Sequence, residues 1–209
     1  MKLEIIGSEV GYLKTNCYIV RDTETGKAFI VDPGYVDDKF EKKLSELSIS
    51  EFDYILLTHG HFDHILGIGE IQKIYGGKIV IHEDDEKFFT DNSLSLNNPG
   101  FFREKLPQKA DITVKDGDEI PFGNSSIKVV HTPGHTGGSV CYILENNIFS
   151  GDTLFRESIG RTDFPTGSSE KIIASLWKLA EIKGDYRVLP GHGEETTLEW
   201  ERRYNPYLK

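Results

Sequence analysis

Short apolar runs recur along the chain, and several of them stop abruptly at Gly, Asp or His. Runs at 2–6, 16–21, 28–31, 53–57, 78–81, 127–130, 140–144, 148–150 and 187–189 have the length and the aliphatic and aromatic content of strands. Glu145-Asn146-Asn147 closes 140–144 and 148–150 into a hairpin. Between these runs the period changes to that of a helix. Phe40, Leu44 and Leu47 predict a helix over about 37–47, entered at Asp37 or Asp38. Ile65, Ile68, Ile71 and Tyr75 predict another over about 64–75, stopped by Gly76-Gly77. Ser168 caps a third, whose Ile172, Ile173, Leu176, Leu179 and Ala180 make a broad apolar face. The tail from 194 reads as a short helix carrying Trp200.

Two segments fit this scheme less well. His82 reads as a strand-end or capping residue, and Glu83-Asp84-Asp85-Glu86 as the solvated first turns of a helix. Residues 90–111 lack a period and contain Phe101-Phe102 with Arg103, Lys105 and Lys109. So long an irregular stretch is expected either as a lid or pocket wall, or as a packed surface loop or an unrecognised helix. The rest divides into two parts. Each begins β-rich and contains a strand followed by a histidine-bearing loop. Two such halves, packed sheet to sheet with helices outside, would bury a good core.

At 209 residues the chain is expected to form one domain, 1–209. No apolar run is long enough to span a bilayer, so no membrane partner is expected. The start, Met1 to Gly7, reads as a first strand rather than a signal peptide. A net charge of −10 opposes general nucleic-acid binding, which needs a basic face. The two cysteines, Cys17 and Cys141, lie in apolar strands, which suits buried thiols and a cytoplasmic location.

Of the 7 histidines, three fall in Thr58-His59-Gly60-His61-Phe62-Asp63-His64, between a strand and a helix. Imidazole and carboxylate together suit zinc, iron or manganese. His59 and His61 are two apart and lean the same way in extended chain, whereas Asp63 and His64 would point elsewhere. One ion cannot easily take all four, but two neighbouring ions can divide them. Further ligand types follow other apolar runs, at His135, Asp152 and His192, each directly after a glycine. Asp32, in Asp32-Pro33-Gly34, is a turn residue that could also accept a hydrogen bond from a ligand histidine. His131 directly follows Val130 and is expected to be structural or to support a ligand.

Thr-His-Gly-His-Phe-Asp-His at 58–64, Thr-Pro-Gly-His-Thr at 132–136, Gly-Asp-Thr-Leu-Phe at 151–155 and Pro-Gly-His-Gly at 190–193 resemble the metallo-β-lactamase superfamily. Ser158 to Pro165 resembles its glyoxalase II-like (hydroxyacylglutathione hydrolase-like) branch. The resemblance implies an α/β fold, a four-layer αββα sandwich, with a binuclear centre at one edge of the sheets. It implies His59, His61 and His135 on one metal and Asp63, His64 and His192 on the other. Asp152 and a hydroxide would bridge them, with Asp32 supporting a ligand. Zinc is the expected metal, with iron and manganese as alternatives. The implied activity is hydrolysis of a small-molecule thioester of the S-lactoylglutathione type, with Asp63 and Asp152 as catalytic residues.

One departure qualifies this. Glyoxalase II enzymes carry a further C-terminal helical region that helps hold glutathione, and here Gly193 and Pro206 lie too close for it. The substrate-binding residues are therefore not implied. A mononuclear-iron persulfide dioxygenase resembles the Gly160 to Phe164 stretch as well, and would use His59, His135 and Asp152 alone. Lactone hydrolysis is a further alternative on the same fold.

Overall fold

The computed structural model describes every residue except Ser48 and Arg103. Strands β1 (Leu3–Val10), β2 (Thr15–Asp22), β3 (Ala28–Val31), β4 (Tyr54–Leu56), β5 (Lys78–His82) and β6 (Ile112–Val114) lie side by side in that order. β1 to β3 pair antiparallel, and β3 to β6 pair parallel. Parallel neighbours need a crossover. It is supplied by α1 (Asp38–Glu46) after β3, by α2 (Phe62–Ile65) and α3 (Ile68–Tyr75) after β4, and by a segment containing α4 (Asn92–Ser95) after β5.

The second half repeats this plan. β7 (Glu119–Phe122), β8 (Ser125–His131), β9 (Val140–Leu144) and β10 (Asn147–Gly151) form an antiparallel meander. A small ribbon, β11 (Leu154–Phe155) with β12 (Ser158–Ile159), and helix α5 (Ser169–Ala180) lead to β13 (Arg187–Pro190). β13 pairs parallel with β10, and β14 (Thr196–Thr197) closes that edge before α6 (Leu198–Tyr204).

Alternate residues of the central strands serve different apolar layers, the period-2 rule of a strand buried on both faces. In the first sheet Ile19, Ile30, Ile55 and Ile81 face α1, α2 and α3, packing on Phe40, Leu44, Ile65 and Ile71. Their neighbours Val20, Phe29, Leu56 and Val80 face the second sheet, against Ile127, Val129, Tyr142 and Phe149. On its far side that sheet turns Val130, Cys141, Ile148 and Val188 to Leu176 and Leu179 of α5 and Leu198 of α6. The order is helix, sheet, sheet, helix, as expected for an αββα sandwich. No helix among the described residues is long and apolar enough to cross a membrane.

Two expectations need correction. The helix over 64–75 is two helices, because Gly67 N–H donates to Pro33 O at 2.8 Å and the chain steps sideways there. The acidic run does not begin a solvated helix. Glu83 and Asp84 are exposed, but Asp85 is fully buried, and only a 3₁₀ turn follows at Glu86–Phe89. Within 90–111, α4 is regular and the other described residues are largely irregular. Arg103 lies outside the described residues. Cys17 and Cys141 are buried free thiols, as expected.

Candidate metal centre

β3, β4, β8, β10 and β13 end at the same edge of the sandwich, and the loops leaving them converge there. The β4 loop delivers Thr58 to His64, the β8 loop His135, the β10 end Asp152 and the β13 end His192. All seven candidate ligands come together. Ligand atoms of His59, His61 and His135 lie within 4.8 Å of one another, as do those of Asp63, His64 and His192. A third such group is His59, His64 and Asp152. Asp152 therefore stands between the other two: Oδ1 is 3.5 Å from His64 Nε2, and Oδ2 is 3.5 Å from His135 Nε2 and 3.7 Å from His192 Nε2. Asp63 Oδ2 is 3.2 Å from His192 Nε2 and accepts a hydrogen bond of 2.9 Å from Thr15 Oγ1. Close backbone approach is part of the construction. A Cβ on Gly191 would strike Asp152 Oδ1 and His64 Cε1, so no larger residue fits between these ligands.

A second ring of contacts fixes the imidazoles. Asp32, in the left-handed region at φ 49°, accepts from Thr58 N at 2.8 Å, from Thr58 Oγ1 at 2.6 Å and from His64 Nδ1 at 2.9 Å. Since the Thr58 hydroxyl proton goes to Asp32, its oxygen accepts from His59 Nδ1 at 3.1 Å. His135 Nδ1 donates to Arg161 O at 2.8 Å and His192 Nδ1 to Leu13 O at 3.2 Å. Four rings thus commit Nδ1 to the protein and leave Nε2 for the centre, the usual arrangement of metal-binding histidines. His61 differs, with Nδ1 lying 2.9 Å from His135 Nε2.

The electrostatics separate the two groups of ligands. Burial, then the neighbouring imidazoles, hold His59 well below the usual histidine range. Burial and His135 bring His61 to about 3. Both rings are neutral at pH 7, the state a metal requires. Burial would lower His64 too, but Asp63, Asp152 and Asp32 outweigh it and raise His64 to about 10. Asp63 is held below the usual carboxylate range: burial opposes this, and His64, His192 and Thr15 prevail.

Metal ions fit these residues. His59 Nε2, His61 Nε2, His64 Nε2 and Asp152 Oδ1 are buried with no hydrogen-bond partner among the described residues. Buried polar atoms are otherwise nearly always paired. Four such atoms in one cluster of nitrogen and oxygen donors, two of them belonging to two candidate groups, call for cations. A cavity of about 520 Å³ opens onto Asp63, His135, Asp152 and His192 and is walled by Phe62, Phe155, Ile159 and Phe164.

Asp85 was not singled out from the sequence. Its carboxylate accepts from Gly60 N at 3.0 Å, Thr136 Oγ1 at 2.6 Å and Gly138 N at 2.8 Å. It thereby ties the His59–His61 loop of one sheet to the His135 loop of the other. A Gly in each of two histidine loops, matched by a carboxylate at a strand end, was the only available signal. His131 takes a structural place: it stacks on His82 at 4.0 Å, and its Nε2 donates to Gly137 O at 2.8 Å. His82 is at the strand end, as expected.

A family profile described as the metallo-beta-lactamase superfamily matches residues 10–192. The hydroxyacylglutathione hydrolase GloC of Haemophilus influenzae is 32% identical over 100% of this chain and 98% of its own. The crystal structure of BLEG-1, a B3 metallo-beta-lactamase, superposes with a TM-score of 0.89 at 30% identity, covering 99% of this chain and 100% of its own. TTHA1623 in a di-iron-bound form gives 0.81 at 30% identity, over 97% and 100%.

Proposed function

This chain belongs to the metallo-β-lactamase superfamily, and we propose that it is a binuclear metallohydrolase acting on thioesters. The observation that carries this reading is the pair of adjoining three-ligand groups with Asp152 between them. His59, His61 and His135 would hold one ion and Asp63, His64 and His192 the other, with Asp152 shared. Zinc is the first candidate; the di-iron form of TTHA1623 keeps iron in consideration. When bound, two such cations lower the pKa of a water to about 7 and polarise a carbonyl oxygen.

The chain's own groups do the rest. Asp63 and Asp152 are the carboxylates facing the cavity, placed to orient the attacking water. The buried neutral imidazoles of His59 and His61 keep Nε2 free for an ion. Asp32, Thr58, Arg161 O and Leu13 O fix the rings, so little reorganisation accompanies the reaction. No acid is needed for the leaving group, because a thiolate of ordinary thiol pKa, about 8.5, departs unaided. An amide nitrogen would need one, which favours thioesters. The name carried by the Haemophilus relative supports the same class.

The test is metal analysis of the purified protein together with a thioester panel that includes S-lactoylglutathione. Two metal equivalents per chain and thioester hydrolysis are expected. One iron per chain with oxygen uptake on a persulfide would overturn the proposal, since that chemistry leaves His61, Asp63, His64 and His192 without work.

A further inference from the structure

A second cavity, of about 340 Å³, adjoins the metal-centre cavity and shares Leu13, Phe62 and Asp63 with it. Its volume is that of a small-ligand pocket. One wall is the turn between β1 and β2, with Tyr12 and Leu13; the opposite wall is Phe101 and Phe102, from the irregular stretch after α4. Phe62 of α2 forms the floor between them and packs on Phe102 at 5.2 Å between ring centroids.

The rim is unusual. Tyr12 is 93% exposed, Phe101 82% and Leu13 54%. Apolar side chains exposed singly need no explanation. Three gathered around one apolar cavity mark a surface that a ligand covers. Asp63 is the one charged group among the described residues lining it.

We propose that this cavity receives an apolar arm of the substrate, so that the favoured thioesters carry an alkyl or aryl chain of several carbons. The inference rests on the thioesterase reading for the reaction and on the cavity for the arm. The arm belongs either to the acyl group or to the thiol. Two substrate series on the metal-loaded full chain distinguish them: straight-chain acyl esters of one polar thiol, and acetyl esters of alkanethiols of rising length. In one series kcat/KM should rise about fourfold per methylene until the cavity is full. Phe101→Ser should flatten that slope. A slope of zero in both series, an unchanged slope in Phe101→Ser, or a higher kcat/KM for S-lactoylglutathione than for every apolar ester would each overturn the proposal.

Calorimetric titration with a non-hydrolysable long-chain thioether separates this failure from failure of the thioesterase reading. Binding with a negative heat-capacity change, weakened at least tenfold in Phe101→Ser, supports the cavity assignment even if no thioester is cleaved. Absence of binding overturns it.

Discussion

Asp85 and Asp32 do comparable work from opposite sides of the centre. Each is a buried carboxylate that accepts three hydrogen bonds, and each bonds to the loop that follows β4. Asp85→Asn would turn one acceptor into an N–H₂ group facing an N–H. We expect a loss of about 1–3 kcal/mol in urea unfolding and weaker binding at the His59, His61 and His135 group in chelator competition. Wild-type values in both measurements would contradict the tie between the loops. Asp63→Ala tests the centre itself: hydrolysis should fall by orders of magnitude while the circular dichroism spectrum stays native. Near-normal turnover with one remaining metal would refute the two-metal reading. His64 gives a pH prediction for chelator-treated protein. Burial lowers its pKa, but Asp63, Asp152 and Asp32 raise it to about 10. A raised folded-state pKa contributes stability fully present below the unfolded value, about 6.5, and lost as pH rises through 10. The melting temperature of that form should therefore drop between neutral pH and pH 10, and His64→Asn should reduce the drop.

Among the elements, α5 shows how a helix end serves a ligand loop. Ser168 Oγ accepts from Lys171 N at 3.3 Å, while Ser168 N donates to Gly134 O at 2.8 Å, one residue before His135. Ser168→Ala keeps the second contact and loses the first. About 1 kcal/mol of stability should be lost, read by urea unfolding, with metal stoichiometry unchanged. This helix was readable in the sequence because its cap and apolar face are local features. The central strands β2, β3, β9 and β10 were readable because both of their faces are buried, which leaves nearly continuous apolar runs. The ligands were readable because each follows such a run. The break between α2 and α3 was not, since it is dictated by Pro33, a neighbour in space from another loop. Nor was Asp85: in the sequence it is one acid among four, and only the folded chain brings Gly60, Thr136 and Gly138 to it. In the stretch at 90–111 the one helix, α4, is a single turn, too short to give a period, and Phe102 packs on Phe62 of α2.

For the whole molecule, the two sheets share the core of Phe29, Leu56, Tyr142 and Phe149, and at one edge they also share the candidate ligands. Ions held there would bind the folded chain and not the unfolded one, so they add stability by mass action. Chelation should lower the melting temperature, with a cost of about 4 kcal/mol if free metal had stood at a thousand times its Kd. A melting curve indifferent to chelator would show that the edge is not cross-linked by metal. The placement of the ligands along the chain has a further consequence. His59, His61 and His135 are all present once residue 135 has been made, but the group of Asp63 and His64 waits for His192, on the far side of α5. During synthesis one half of the centre can be assembled while the other still lacks a residue. Ions held at these two groups would find their ligand sets completed in that order along the chain.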